Sequence, residues 1–296
     1  MSYPAAGGYN TFVISKTTAK IYDMKKTIFI TGASKGFGRL WVEAFLKRGD
    51  KVAATSRNIA GLQDLADQYP NSFLPIALDI TNREQSIASV NKAHQHFGSL
   101  DVVINNAGYG VFGAIEEVSE QVVKDVFEAN VFGTLWITQA ALPIFRAQKH
   151  GHIIQLSSVL GVWTLPTLGI YNATKFAVEG LSEALASEVN PLGIHVTVIE
   201  PNGYTTDFGG SSAVQSQAIA AYDQIREGLG NTEGLLPEDY GKPEATVPAI
   251  LKLIDSEQPP LRLFLGKLGY EKIKRVYAEK LQTWASWNDV SVAAHG

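Results

Sequence analysis

Tyr171 and Lys175 stand four residues apart, and Ser158 lies thirteen residues before the tyrosine. Residues four apart on a helix share a face, about one turn from each other. An ammonium in that position favours phenolate, so the tyrosine becomes a usable acid/base near neutral pH. That chemistry fits hydride transfer between an alcohol and a carbonyl, where a proton must be given or taken at the oxygen. The bare pair is weak evidence, because Tyr22/Lys26 and Tyr270/Lys274 repeat the spacing. Only Tyr171 has a serine thirteen residues before it.

A second group of residues fits a phosphate. Thr31-Gly32-Ala33-Ser34-Lys35-Gly36-Phe37-Gly38 joins a short apolar run to an amphipathic stretch. Glycines at 32, 36 and 38 allow a tight turn and close approach to a pyrophosphate, and a helix N-terminus behind them offers free N–H groups. A Gly-rich turn is often only a turn, and its place between a first strand and a first helix argues for more. Gly108-Tyr109-Gly110-Val111-Phe112-Gly113 also matches G-x-G-x-x-G. No short βαβ crossover follows it, so it reads as a loop beside a site.

The elements that must position these residues alternate. Strands are predicted at Thr27–Thr31, Lys51–Thr55, Phe73–Leu78, Asp101–Asn105, His152–Leu156 and Ile194–Ile199. Helices are predicted near Phe37–Arg48, Ile59–Gln68, Arg83–Phe97, Glu120–Ala147 (adjusted near Pro143) and Tyr171–Glu188. Short buried strands between helices give an α/β fold: a doubly wound, Rossmann-type, mostly parallel sheet with helices on both faces. After Pro201 the pattern weakens. A helical stretch near Ala213–Leu229, a helix near Pro243–Asp255, an edge strand Arg262–Leu265 and a helix near Tyr270–Trp284 are expected.

Length and composition set limits. The 296 residues suit one large α/β domain, assigned to 24–296 with a substrate-loop region from about 203 onward. Residues 1–23 read as a flexible extension without a secretory h-region. The absence of cysteine excludes disulfides, thiol nucleophiles and zinc–thiolate sites. The six histidines show no metal spacing, and no Gly-x-Ser-x-Gly elbow is present. A net charge of −4 gives no reason to expect nucleic acid, and no apolar run reaches the roughly 18 residues of a membrane span. A cytoplasmic protein is expected.

Together the motifs resemble the short-chain dehydrogenase/reductase family, in its shorter, non-epimerase branch, over about Lys26 to Thr206. Residues 31–38 match T-G-x-x-x-G-x-G, and Asn105-Asn106-Ala107-Gly108 match N-N-A-G. Asn130 matches a helix asparagine, and Ser158, Tyr171 and Lys175 match the S…Y-x-x-x-K set. One departure is Pro201-Asn202-Gly203, where the family commonly has Pro-Gly; Thr206 falls at the family's threonine. Asparagine tolerates left-handed backbone better than most residues, a way for the turn to survive.

The resemblance implies roles. Tyr171 is general acid in carbonyl reduction and base in alcohol oxidation, with its pKa lowered by Lys175 and by oxidised nicotinamide. Lys175 also bonds the nicotinamide ribose, Ser158 donates to the substrate oxygen, and Asn130 holds a water linking Lys175 to solvent. Nucleotide contacts are expected from Gly32, Ser34, Lys35, Gly36, Phe37, Gly38, Asp79, Ile80, Asn106, Ala107, Gly108, Pro201, Gly203 and Thr206. The second strand ends Ser56-Arg57 with no acid to bind a ribose 2′-OH, and Asp50 lies before it. Lys35, Ser56 and Arg57 stand where they would flank a 2′-phosphate, which favours NADP(H). Asp79 is read as accepting from adenine or, alternatively, as a local cap with Thr81. Tyr109, Phe112, Leu160, Trp163, Leu168, Tyr204 and Phe208 lie on loops after strand ends and suit an apolar or aromatic carbonyl substrate. A homo-oligomer, dimer or tetramer, is expected, with the 120–147 and Tyr171 helices between subunits. Two alternatives are an NADP-binding sensor on the same fold, which would not need an intact Ser–Tyr–Lys set, and a dehydratase/epimerase relative, which the Gly spacing and chain length disfavour.

Overall fold

The computed structural model describes residues 25–210, 213–229 and 236–296. The predicted 1–23 extension and Tyr22 lie outside the described residues. In chain order the elements are β1 (Thr27–Ile30), α1 (Gly36–Arg48), β2 (Lys51–Ser56), α2 (Gln63–Gln68), β3 (Phe73–Ala77), α3 (Arg83–Phe97), β4 (Val102–Asn105), β5 (Val111–Phe112), α4 (Glu120–Phe127) and α5 (Gly133–Gln148). They continue with β6 (Gly151–Leu156), α6 (Gly169–Val189), β7 (Ile194–Pro201), β8 (Val214–Gln215), α7 (Asp223–Leu229), α8 (Val247–Ile254), β9 (Arg262–Leu265), α9 (Gly269–Ser286) and α10 (Asn288–Ala293).

Seven strands form one parallel sheet in the order β3-β2-β1-β4-β6-β7-β9. Neighbouring residues of each strand serve opposite faces. Ile28, Ile30, Val52, Ala54, Ile104 and Ile199 pack under Trp41 and Phe45 of α1 and Ile250 of α8. Phe29, Ala53, Val103, Ile153 and Val196 pack under Val90 of α3 and Ile137 and Phe145 of α5. Burial on both faces explains why the strands read as continuous apolar runs. The strand order reverses between β1 and β4, and the carboxyl ends there open a crevice suited to a ligand.

Three expectations change. The helical path from 120 to 148 is interrupted at Glu128–Phe132, a π-helical turn, rather than at Pro143, which sits inside α5. Such a turn widens the backbone and lets a side chain leave the regular helical array. The Ala213–Leu229 stretch is helical only at α7, after a tight 3₁₀ turn at Ala220–Tyr222. Its start pairs with β5 instead: Val214 N–H donates to Gly110 O and Ser216 N–H to Phe112 O. The Gly108–Gly113 loop therefore holds a two-stranded ribbon. The edge strand Arg262–Leu265 forms as expected, parallel to β7.

Candidate active site

The turn after β1 is fixed from both sides. Gly32 has φ +67°, and a Cβ there would lie 2.8 Å from Ala107 Cα. A Cβ on Gly38 would lie 2.5 Å from Gly32 O and 2.7 Å from Asn106 Nδ2. Only glycine leaves room for the turn, the first turn of α1 and the chain after β4 to meet. Thr31 Oγ1 accepts from the N–H groups of Asn106 and Ala107, both at 3.0 Å. Asn106 Nδ2 returns two bonds, to Thr31 O at 2.8 Å and Gly32 O at 2.9 Å. Ser34 and Lys35 are exposed, and Gly36 and Phe37 begin α1, so backbone N–H groups face the crevice without a side-chain cap at Lys35. This cradle suits a pyrophosphate.

The residues around it fall into place unevenly. Ser56 ends β2 and Arg57 is exposed just beyond it. Lys35 Nζ pairs with Asp207 Oδ2 at 2.5 Å, so the lysine bridges the turn and the loop after β7. Buried Asp50 accepts from Lys26 N–H and pairs with half-buried Arg48, remote in role from any ribose. Asp79 Oδ1 accepts from Thr81 N–H at 3.1 Å and its hydroxyl at 2.8 Å, the local cap. Ile80 packs against Gly133, where a Cβ would lie 2.7 Å from its Cγ1.

Asn202 does not adopt left-handed backbone; Lys149 and Thr167 are the non-glycine residues that do among those described. Its amide works instead, with Nδ2 donating to Gly203 O at 2.9 Å and Asp239 O at 3.1 Å. It lies so close over Gly266 that any side chain there would collide with it. Thr206 Oγ1 accepts from Phe208 N–H at 3.4 Å and starts the short 3₁₀ turn that carries Phe208.

One face of α6 carries the candidate chemistry. Tyr171, Lys175 and Glu179 are buried there in successive turns. Ser158, just after β6, stands beside the Tyr171 phenol, and its Oγ accepts from Leu160 N–H at 3.1 Å. Burial pushes the phenol pKa above its ordinary value, and Ser158 opposes this. Burial within the protein thus acts against the lowering expected from the sequence. Lys175 Nζ lies 5.6 Å from the Tyr171 ring centroid and donates to Leu156 O at 2.8 Å. Burial brings its pKa down to about 8, against the charge of Glu179. The decoy Tyr270/Lys274 sits on α9 with its tyrosine 64% exposed.

Asn130 lies in the π-turn, and its side chain grips the loop after Gly108. Oδ1 accepts from Tyr109 N–H at 3.0 Å, and Nδ2 donates to Tyr109 O at 2.9 Å and Thr174 Oγ1 at 3.2 Å. A Cβ on Gly108 would lie 2.9 Å from Asn130 Oδ1 and 3.8 Å from Lys175 Nζ. Asn130 therefore connects the N-N-A-G loop to α6.

Leu160, Trp163, Leu168 and Tyr171 form one cluster, with Phe112 against it. Phe208 lies 5.2 Å from the Tyr171 ring and 6.5 Å from Phe112, centroid to centroid. Tyr204 departs from this group: its ring meets Phe37 edge-on at 5.0 Å, over α1. Pro201 ends β7, and a Cβ on Gly203 would meet the Tyr240 ring at 3.1 Å. Glu179, Glu200 and Arg262, buried or half-buried behind the site, were not among the predicted residues. Their signal was Glu179 one helical turn beyond Lys175 and a glutamate inside the apolar run of β7. Among the described residues no three His, Cys, Asp or Glu are grouped to hold a metal, and no helix is long and apolar enough to cross a membrane.

The chain matches the short chain dehydrogenase family over residues 26–217. It is 37% identical over 276 residues to oxidoreductase BOA17 of Botryotinia fuckeliana, covering 92% of this chain and 100% of that protein. It is 33% identical over 243 residues to 3-ketodihydrosphingosine reductase of Bacteroides thetaiotaomicron, covering 81% and 88%. A short-chain dehydrogenase structure from Streptomyces avermitilis superimposes with a TM-score of 0.85 at 35% identity, covering 92% of this chain and 99% of the other. The structure of ElxO with NADP bound gives a TM-score of 0.67 at 26% identity, covering 81% and 97%. The Gly-rich turn, the N-N-A-G loop and the Ser158–Tyr171–Lys175 group thus sit on a shared fold, and the chain belongs to the short-chain dehydrogenase/reductase family of oxidoreductases.

Proposed function

We propose that this protein is an NADP(H)-dependent oxidoreductase that interconverts a carbonyl and an alcohol. The observation that carries this is the buried Tyr171 phenol, with the Ser158 hydroxyl beside it and the Lys175 ammonium beneath its ring. The cradle at Gly32 and Gly38, closed to any Cβ, and the first turn of α1 would hold the pyrophosphate. Ser56 and Arg57 would meet a 2′-phosphate at the end of β2, where no acid stands. ElxO, which binds NADP, supports this choice. Lys35 shares its charge with Asp207, so Arg57 and Ser56 carry more of the phosphate recognition.

When bound, the nicotinamide supplies or accepts the hydride. Tyr171 Oη gives its proton to the carbonyl oxygen in reduction and takes it back in oxidation. Ser158 Oγ donates to the same oxygen and stabilises its developing charge. Lys175 holds an ammonium close to the phenol, which favours the phenolate left after proton transfer. Asn130 positions the loop under Lys175 and, through its backbone, the water by which the lysine reaches solvent. Phe112, Trp163 and Phe208 wall the space beside Tyr171 and favour an apolar or aromatic carbonyl compound. The reductase relative, named for a ketone substrate, supports the reaction type. The protein acts as a homo-oligomer through the α4–α5 and α6 helices, which expose Phe132, Phe176 and Leu181.

Tyr171→Phe should reduce turnover on a panel of carbonyls and alcohols by at least about 10²-fold. Nicotinamide fluorescence should show NADPH binding within a few fold of the unaltered protein. Turnover retained within a few fold would reject the acid/base role.

A further inference from the structure

Behind Lys175, away from the substrate oxygen, two carboxyl groups are buried together. Glu179 lies on α6, one turn beyond the lysine, and Glu200 lies near the end of β7; they are 5% and 0% exposed. Arg262 Nη1, from the start of β9, reaches both, contacting Glu179 Oε2 and Glu200 Oε1, the latter at 2.9 Å. Its Nη2 reaches exposed Glu183 Oε2 at 3.2 Å. Each buried carboxyl thus spends one oxygen on the guanidinium. The other oxygens, Glu179 Oε1 and Glu200 Oε2, are buried and have no hydrogen-bond partner among the described residues; nor does Ser157 Oγ. Glu179 Oε1 and Ser157 Oγ face the same narrow space at Gly161, where a Cβ would lie 3.0 and 2.6 Å from them.

Two ionised carboxylates cannot bond each other, and a buried oxygen left without a donor is costly. Three glutamates face one guanidinium and one ammonium, so negative charge is in excess. A single proton between Glu179 and Glu200 lets one carboxyl donate to the other and brings the charges into balance, as in other carboxyl pairs. The groups facing the pair are Lys175 and Glu183 from α6, Arg262 from β9 and the Ser157 hydroxyl after β6. We propose that Glu179 and Glu200 hold one proton between them, and that the single negative charge left on the pair keeps Lys175 an ammonium during the reaction. Glu179 and Glu200 are positioning residues, acting through Lys175. Burial and mutual repulsion bring Glu200 up to about 7 and raise Glu179, and the charge of Glu179 opposes the fall that burial imposes on Lys175. The pair's charge matters to catalysis only if Lys175 serves Tyr171 as proposed above.

Glu179→Gln and Glu200→Gln, made in the full chain, test this. Carbonyl reduction with NADPH should lose activity as pH rises past the Lys175 titration. In E179Q the basic limb of kcat/KM should move down by roughly one pH unit, because the remaining charge then sits on Glu200 of β7 instead of one helical turn from the lysine. In E200Q, Glu179 stays ionised against Arg262, and the limb should stay in place or move up. Infrared difference spectra at neutral pH should show a carboxylic-acid carbonyl band in the unaltered protein that both variants lose. A basic limb in E179Q coinciding with the unaltered one, a downward move in E200Q, or an acid band that survives in E200Q would overturn the proposal. E200Q decides alone if E179Q does not fold. Absence of turnover in the unaltered protein would count against the Tyr171 assignment, and the infrared bands would still judge the shared proton.

Discussion

Burial alone would make Tyr171 a poorer acid than a tyrosine in water, because its phenolate loses hydration. In the proposed reaction the Ser158 hydroxyl and the Lys175 ammonium make the residue usable; spacing alone left three Tyr/Lys pairs, and the serine thirteen residues upstream singled this one out. The same spacing at Tyr270 and Lys274 lies on an exposed helix face, where water screens the ammonium, and no serine stands thirteen residues before the tyrosine. The carboxyl pair was less legible, since Glu200 and Arg262 are 62 residues apart and meet only because β7 and β9 are neighbours. Cofactor choice also belongs to single residues. Arg57→Asp, combined with Lys35→Met, should lower the ratio of kcat/KM for NADP over NAD by roughly tenfold or more, the worth of about one charge-assisted hydrogen bond. Comparison with Arg57→Asp alone should show that Lys35, already paired with Asp207, adds the smaller share. An unchanged ratio would refute the 2′-phosphate assignment.

Elements buried on both faces were the most readable part of the chain. Six predicted strands and the edge strand appear because short Val/Ile-rich runs between helices have few alternatives. The β5–β8 ribbon was unreadable, since two residues per strand carry no periodicity and pairing depends on backbone bonds to Gly110 and Phe112. The long helix, expected to be adjusted near Pro143, is interrupted instead by a π-turn at Asn130, whose side chain has a distant backbone to hold. The β6–β7 pair has its own pH response. His152, buried on β6, meets Thr197 Oγ1 at 2.9 Å, and that hydroxyl donates to Pro260 O at 2.6 Å. The imidazole therefore donates from Nε2, and burial keeps it neutral. Burial, with the charges of His195 and Lys26, brings its pKa down to about 3. Between the unfolded value near 6.5 and 3, the unfolded chain binds a proton that the native one refuses, so stability falls as pH falls. Urea melts from pH 7 to pH 4 should show this as about 1.4 kcal/mol per pH unit from the one group. His152→Gln should remove that part of the slope, and equal slopes in both proteins would disprove the neutral imidazole.

At the scale of the whole molecule, the parallel sheet brings every strand's carboxyl end to one edge, and the nucleotide turn, the N-N-A-G loop, Ser158 and the Phe208 loop all start there. The helices that back this edge leave apolar side chains outside: Phe132 stacks on Trp136 at 6.1 Å, and Phe176 and Leu181 of α6 are 38% and 42% exposed. Light scattering should give the mass of a dimer or tetramer, and Leu181→Glu with Phe176→Glu should lower it. A monomer mass for the unaltered protein would reject the association. The last strand closes the design. Arg262, the shared counter-ion of Glu179 and Glu200, enters with β9, after the rest of the sheet has been made. A nascent chain emerging from the ribosome can assemble six strands and the catalytic helix while this guanidinium is still inside the exit tunnel. Until it arrives, the two acids face Lys175 without the guanidinium they share, so the carboxyl pair is completed only at the end of synthesis.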